Sequence, residues 1–190
     1  MAYRSGFKSY ANTIAIQIRS ELQLRAIDRL DPWALAAYLE IPVWPLSDLT
    51  RDAPDAVAHL TNGEPEAFSA VTVFQRNRRT IVYNDAHGRG RQASDIAHEL
   101  AHGLLQHRPT PALNDHGCRL WDQGIEDGAR WLGGVLLIPE DGALWIVRQG
   151  MSEVDAADHF GVTPRMVRYR VNVAGAKKRV ARAQQFRFQR

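Results

Sequence analysis

The chain has a single cysteine, Cys118, in 190 residues. That excludes an internal disulfide and suits a reducing compartment, with the cytoplasm as the default expectation. Nowhere does it hold a run of about 18 apolar residues, so no membrane-spanning helix is expected. The opening stretch, MAYRSGFKSYANTIAIQIRS, lacks an apolar core followed by a small-residue cleavage site, so no secretory leader is expected. No internal repeat or low-complexity tract appears. Acid is missing from residues 160–190, which hold nine Lys or Arg. Residues 1–159 carry fifteen basic and twenty-one acidic residues. The net charge of +3 therefore averages an acidic body and a basic end. Nucleic acid or an acidic protein is the candidate partner for that end, and a simply solvated tail is the alternative.

What is present is ordinary for a globular chain: 45% hydrophobic and 24% charged residues. The length fits one domain, or one domain with a small appendage, and is enough to bury a core.

The most informative stretch is Ser94 to Gln106, which contains His98-Glu99-Leu100-Ala101-His102. On a helix, residues four apart stand above one another on one face, so His98 and His102 can hold one metal ion between two imidazoles. Glu99 then lies beside the open coordination position. Zinc is the natural occupant of such a site. Water there would ionise near neutral pH, and Glu99 is placed to take its proton. Ser94 or Asp95 can cap the helix, and Ala97, Leu100, Ala101, Leu104 and Leu105 supply its apolar faces.

Around that helix the pattern is mostly helical. A helix is expected over Thr13–Ile27, and a second opens at Asp31-Pro32 and runs through Leu39. Glu40 to Pro45 must be extended because two prolines disfavour the helical region in their predecessors, and Ser47 can cap a turn after it. FSAVTVF (68–74) and TIVY (80–83) read as a hairpin, whose second strand or its neighbour could pair with an extended substrate, with a plain structural hairpin as the alternative. Asn84 to Arg91 and the stretch with Pro109 and Pro111 read as loops. Cys118 is expected to be a small buried hydrophobe. Gln123–Ile138 should be a heavily buried helix stopped by Pro139, followed by a short helix over Asp141–Val147. From Met151 the chain reads helix, turn, helix: Ser152 caps the first, Gly161 turns, and Thr163-Pro164 opens the second through Val171. Arg165, Arg168 and Arg170 on that second helix are candidates to reach phosphates, and an ordinary helical hairpin is the alternative.

HELAHGLLQH, followed by an ExxA element leading to WLGGVLLIP, resembles the ImmA/IrrE family of zinc metallopeptidases. The likeness spans Leu30 to about Ala174 and includes NDAHGRGRQASDIAHE and the LLIP stop. It implies a small intracellular gluzincin-like peptidase that cleaves a specific regulatory protein, such as a helix-turn-helix repressor. It also implies that Glu126 is the third metal ligand, with Asp127 as the fallback and a solvent-facing Glu126 as the alternative. Gly128 stands where many relatives have a second Glu, and Arg130 where gluzincins place an Asp that orients a histidine ligand.

The resulting expectation is an α+β protein: a zincin-like small sheet with the HExxH helix beneath it, mostly helical, ending in a helix-turn-helix-like hairpin. Residues 1–150 would form the metallopeptidase domain, 151–174 the hairpin packed on it, and 175–190 a basic tail. Zn2+ would be held by His98, His102 and Glu126, with Glu99 as general base, and no membrane association is expected. His107 and His116 are candidates for a further role only by residue type. Two competing readings are a DNA-associated regulator and a zinc-binding interaction module, each with lapsed peptidase activity.

Overall fold

A computed structural model describes residues 5–61, 68–76, 78–107 and 122–188. Cys118, His116 and the proline-containing loop lie outside them. Helix α1 (Phe7–Glu21) starts and ends earlier than its apolar stripe suggests, and buries Ala11, Ala15, Ile18 and Arg19. Arg19 explains the early stop. Its guanidinium is buried and needs acceptors, which it finds on the carbonyls of Leu136 (2.7 Å), Arg25 (2.7 Å) and Asp28. The chain therefore leaves the helix after Glu21 and wraps residues 22–28 around it, with Gln23 at φ 57. Helix α2 (Pro32–Tyr38) forms as its first residues dictate: Asp31 Oδ1 accepts from the Trp33 amide at 3.0 Å, and Pro32 occupies the first helical position.

The sheet has three strands, β1 (Val43–Pro45), β2 (Ala70–Gln75) and β3 (Arg78–Tyr83), in the order β1-β3-β2. Strand β3 is central: parallel to β1 and antiparallel to β2. Of the two hairpin strands the edge is thus β2, the first in sequence. Thr72 pairs with Ile81 and Phe74 with Arg79, so these four share one face. Val82 points the other way, into a small cluster with Leu46 and Val57. A 3₁₀ turn (Leu46–Leu49) and helix α3 (Pro54–Thr61) supply that cover, and α3 is absent from the sequence expectation.

Helix α4 (Arg89–Leu104) carries the HExxH residues. Its N-cap is Gly88, six residues before Ser94, and Ser94 instead bonds back to the Gly90 carbonyl at 3.0 Å. Helix α5 (Gln123–Leu137) is capped by Asp122, whose Oδ1 accepts from the Gly124 and Ile125 amides. These two helices pack closely because Gly133 has no side chain: a Cβ there would lie 3.0 Å from the Ala97 carbonyl oxygen. Leu100, Leu132 and Leu136 are fully buried around that contact. Each contributes about 2 kcal/mol of burial, which makes the pair a rigid base for the site.

Pro139 ends α5 and opens α6 (Glu140–Arg148). The expected helical hairpin follows as α7 (Glu153–Phe160) and α8 (Pro164–Val173), capped by Ser152 and Thr163, with Gly161 at φ 67 between them. Helix α9 (Ala176–Phe188) occupies the basic end, and its Ala176 and Val180 are buried in the main core. The result is a mostly helical α+β fold with a small mixed sheet.

Candidate metal centre

Helix α4 is two-faced. Ile96, Ala97, Leu100 and Ala101 are fully buried against α5 and the sheet. The 3.6-residue period then turns His98, Glu99 and His102 toward the cleft between α4 and the start of α5. The Asp122 cap fixes that first turn, and Glu126 projects from it toward the histidines.

The three groups converge. His98 Nε2 lies 3.1 Å from His102 Nε2 and 3.2 Å from Glu126 Oε2, and His102 Nε2 lies 3.8 Å from the same oxygen. Ligand atoms about 2.1 Å from a tetrahedral ion stand roughly 3.4 Å apart, so the observed spacings match such a set. Two imidazoles and a carboxylate also have the right donor chemistry, and together they form a cluster able to hold a metal ion. Burial, then the neighbouring His98, lowers the His102 pKa, which keeps its imidazole neutral and its lone pair available. Glu126 is one-fifth exposed and faces the histidines rather than solvent.

Two neighbours support the cluster. His107, beyond the end of α4, places Nδ1 3.0 Å from His102 Nδ1. A metal ion on Nε2 would leave the proton of His102 on Nδ1, from which it would be donated to His107 Nδ1 and hold the ring. Thr72 on β2 donates from Oγ1 to Glu99 Oε2 at 2.6 Å. Burial raises the Glu99 pKa, and the Thr72 hydrogen bond acts against that rise. Nothing in the sequence singles out Thr72, whereas His107 could be proposed only as one more histidine.

Asp127 and Arg130 are engaged elsewhere. Asp127 is buried and accepts from Gln123 (2.8 Å) and Arg130 (3.0 Å), outside the metal cluster. Arg130 is held by that pair. Gly128 is buried, with a Cβ there falling 3.3 Å from the Phe7 ring, so a Glu at this position would meet apolar packing instead of the site. On α8, Arg170 is fully buried and donates to the Ile138 carbonyl at 2.8 Å, so it does not reach outward to phosphates. Arg168 is paired with Glu153 at 2.6 Å, and Arg165 is exposed.

A mixed-sheet α+β fold thus presents two helix-borne histidines and a carboxylate from the next helix as a cluster that could hold a metal ion. The family described as Peptidase_M78, IrrE N-terminal-like domain, matches residues 58–172, and the chain belongs to that family. No curated protein and no solved structure matches the chain. Among the described residues no helix is long and apolar enough to cross a membrane.

Proposed function

We propose that the protein is a zinc-dependent endopeptidase, with His98, His102 and Glu126 as ligands and Glu99 as general base. The observation that carries this reading is the 3.1–3.8 Å spacing of the three ligand atoms, with Glu99 one residue from His98. When bound, the ion would supply Lewis acidity toward a peptide carbonyl and toward water. Glu99 takes the proton of the attacking water and passes it to the leaving amine. Thr72 occupies Oε2 of that carboxylate, which leaves Oε1 for the proton. His107 holds the His102 ring. Among the described residues β2 has a strand partner on one side only, and it packs on α4, so its other edge offers backbone partners to an extended peptide.

A protein substrate follows from the family, and a regulatory protein such as a helix-turn-helix repressor is the proposed one. The proposed compartment is the cytoplasm. The test is direct. Zinc-loaded protein should cleave a co-encoded repressor, chelation should stop cleavage, and added zinc should restore it. Glu99→Gln should keep its zinc and lose about 10²-fold or more in rate. A Glu99→Gln protein with wild-type turnover would remove the assignment of the base.

A further inference from the structure

Arg79, on β3, extends its side chain between Phe74 of β2 and Gly103 of α4. Three contacts fix its place. Ser69 Oγ meets Arg91 Nη2 at 3.1 Å, Thr72 meets Glu99, and Arg79, opposite Phe74, lies over Gly103. The contacts rise together along both elements, so β2 and α4 run side by side in the same direction. Arg79 therefore stands one helical turn beyond Glu99.

Gly103 provides the room: a Cβ built there would collide with Arg79 Nη1. Phe74 provides the shelf, its ring centroid 5.5 Å from the guanidinium carbon. Among the described residues, that ring is the one such partner of Arg79, which makes no hydrogen bond or ion pair with them. A half-buried guanidinium in that state keeps its planar fork of N–H donors for an incoming carboxylate. One helical turn is about 5.4 Å, and an extended peptide advances about 3.3 Å per residue. The guanidinium thus falls opposite a side chain about two residues from the bond held beside Glu99.

We propose that Arg79, seated on Gly103, is an anion subsite that selects peptides with Asp or Glu about two residues from the scissile bond. This rests on the peptidase reading above. The probe is a random-sequence peptide library, used twice with the full-length, zinc-loaded protein: cleavage sites read by mass spectrometry, and retention on immobilised protein. Wild type should favour acidic over amide side chains about tenfold, at that position in the cleavage readout and in the overall composition of the retained peptides. Arg79→Ala should abolish the preference, and Arg79→Glu should turn it toward Lys and Arg. Gly103→Ala should abolish it too by displacing the guanidinium, while adding helix propensity, so loss of folding cannot explain the result.

Acidic retention that depends on Arg79, without cleavage, would support the subsite and sink the peptidase reading. Cleavage without acidic preference would overturn the subsite alone. So would a preference unchanged in Arg79→Ala, or a loss of turnover equal on acidic and neutral peptides. Absence of acidic retention in wild type also overturns it.

Discussion

Thr72 donates a 2.6 Å hydrogen bond to Glu99 across the interface between the edge strand and the HExxH helix. The proposed base is therefore tied to the strand along which a peptide would lie. A peptide that straightens or shifts β2 also moves the group that orients Glu99, which couples docking to the readiness of the carboxylate.

Thr72→Val keeps the shape and β-propensity of the side chain and removes the donor. Turnover is expected to fall about tenfold, since a hydrogen bond to a charged group contributes roughly 1.5–3 kcal/mol and Glu99 remains in place. Thr72→Ser should restore most of it. Zinc content should stay constant across all three proteins. If Val and Ser behave alike in kcat, the hydroxyl does not position the base.

Glu126 and Asp127 are neighbours with opposite surroundings, one facing two imidazoles and the other bonded to Gln123 and Arg130. Glu126→Ala is expected to lower zinc affinity by orders of magnitude and leave the melting temperature of the metal-free protein close to wild type. Asp127→Ala should do the reverse, with near-normal affinity and a stability loss of about 1 kcal/mol. Competition with a chelator and thermal melts separate the two. Equal zinc affinities would remove Glu126 from the ligand set.

His98, Glu99 and His102 were legible in the sequence because their chemistry and helical period coincide in five residues. Glu126 was reachable through the family resemblance. Thr72 and Arg79 were not, because a strand residue acquires a cleft-facing role only once the strand order is known, and β2 proves to be the edge. The close approach of α4 and α5 was not legible, because the contact between Gly133 and Ala97 exists only once the two helices are packed. The end of α1 was hidden by Arg19, a charged residue that the apolar stripe treats as surface and the fold buries. Helix α9 was hidden for another reason, since the apolar residues of AKKRVARAQQFRF are scattered among basic ones and do not all line up on one helical face.

The turn that wraps Arg19 has its own pH signature. The Asp28 carboxylate accepts from the Arg25 guanidinium and from the Arg25 amide at 2.7 Å, and these bonds lower its pKa from 3.8 to about 2. Because folding lowers this pKa, its stabilising effect is complete well above pH 3.8. It is lost as the pH falls toward 2. Asp28→Asn should thus be less stable than wild type at pH 7, with the gap closing between about pH 4 and 2. Denaturant midpoints measured across that range check it, and a gap independent of pH would show that the carboxylate charge is irrelevant.

The last test concerns the basic end. Val180 is 7% exposed and Ala176 fully buried, in the same core that holds Leu144 and Ile146 of α6, and Arg179 pairs with Glu140 at the start of that helix. A solvated tail would tolerate a charge at any of these positions. A packed helix would not. Val180→Asp would bury an unpaired carboxylate, so a loss of about 3 kcal/mol or more is expected. Lys178→Asp, on the exposed side of the same turn, should change stability by less than about 0.5 kcal/mol. Because α6 follows directly from α5, which bears Glu126, the Val180 variant should also lower zinc retention on heating. Lys178→Asp should leave that retention unchanged. Equal melting temperatures for the two variants would mean that α9 does not pack on α6 in solution.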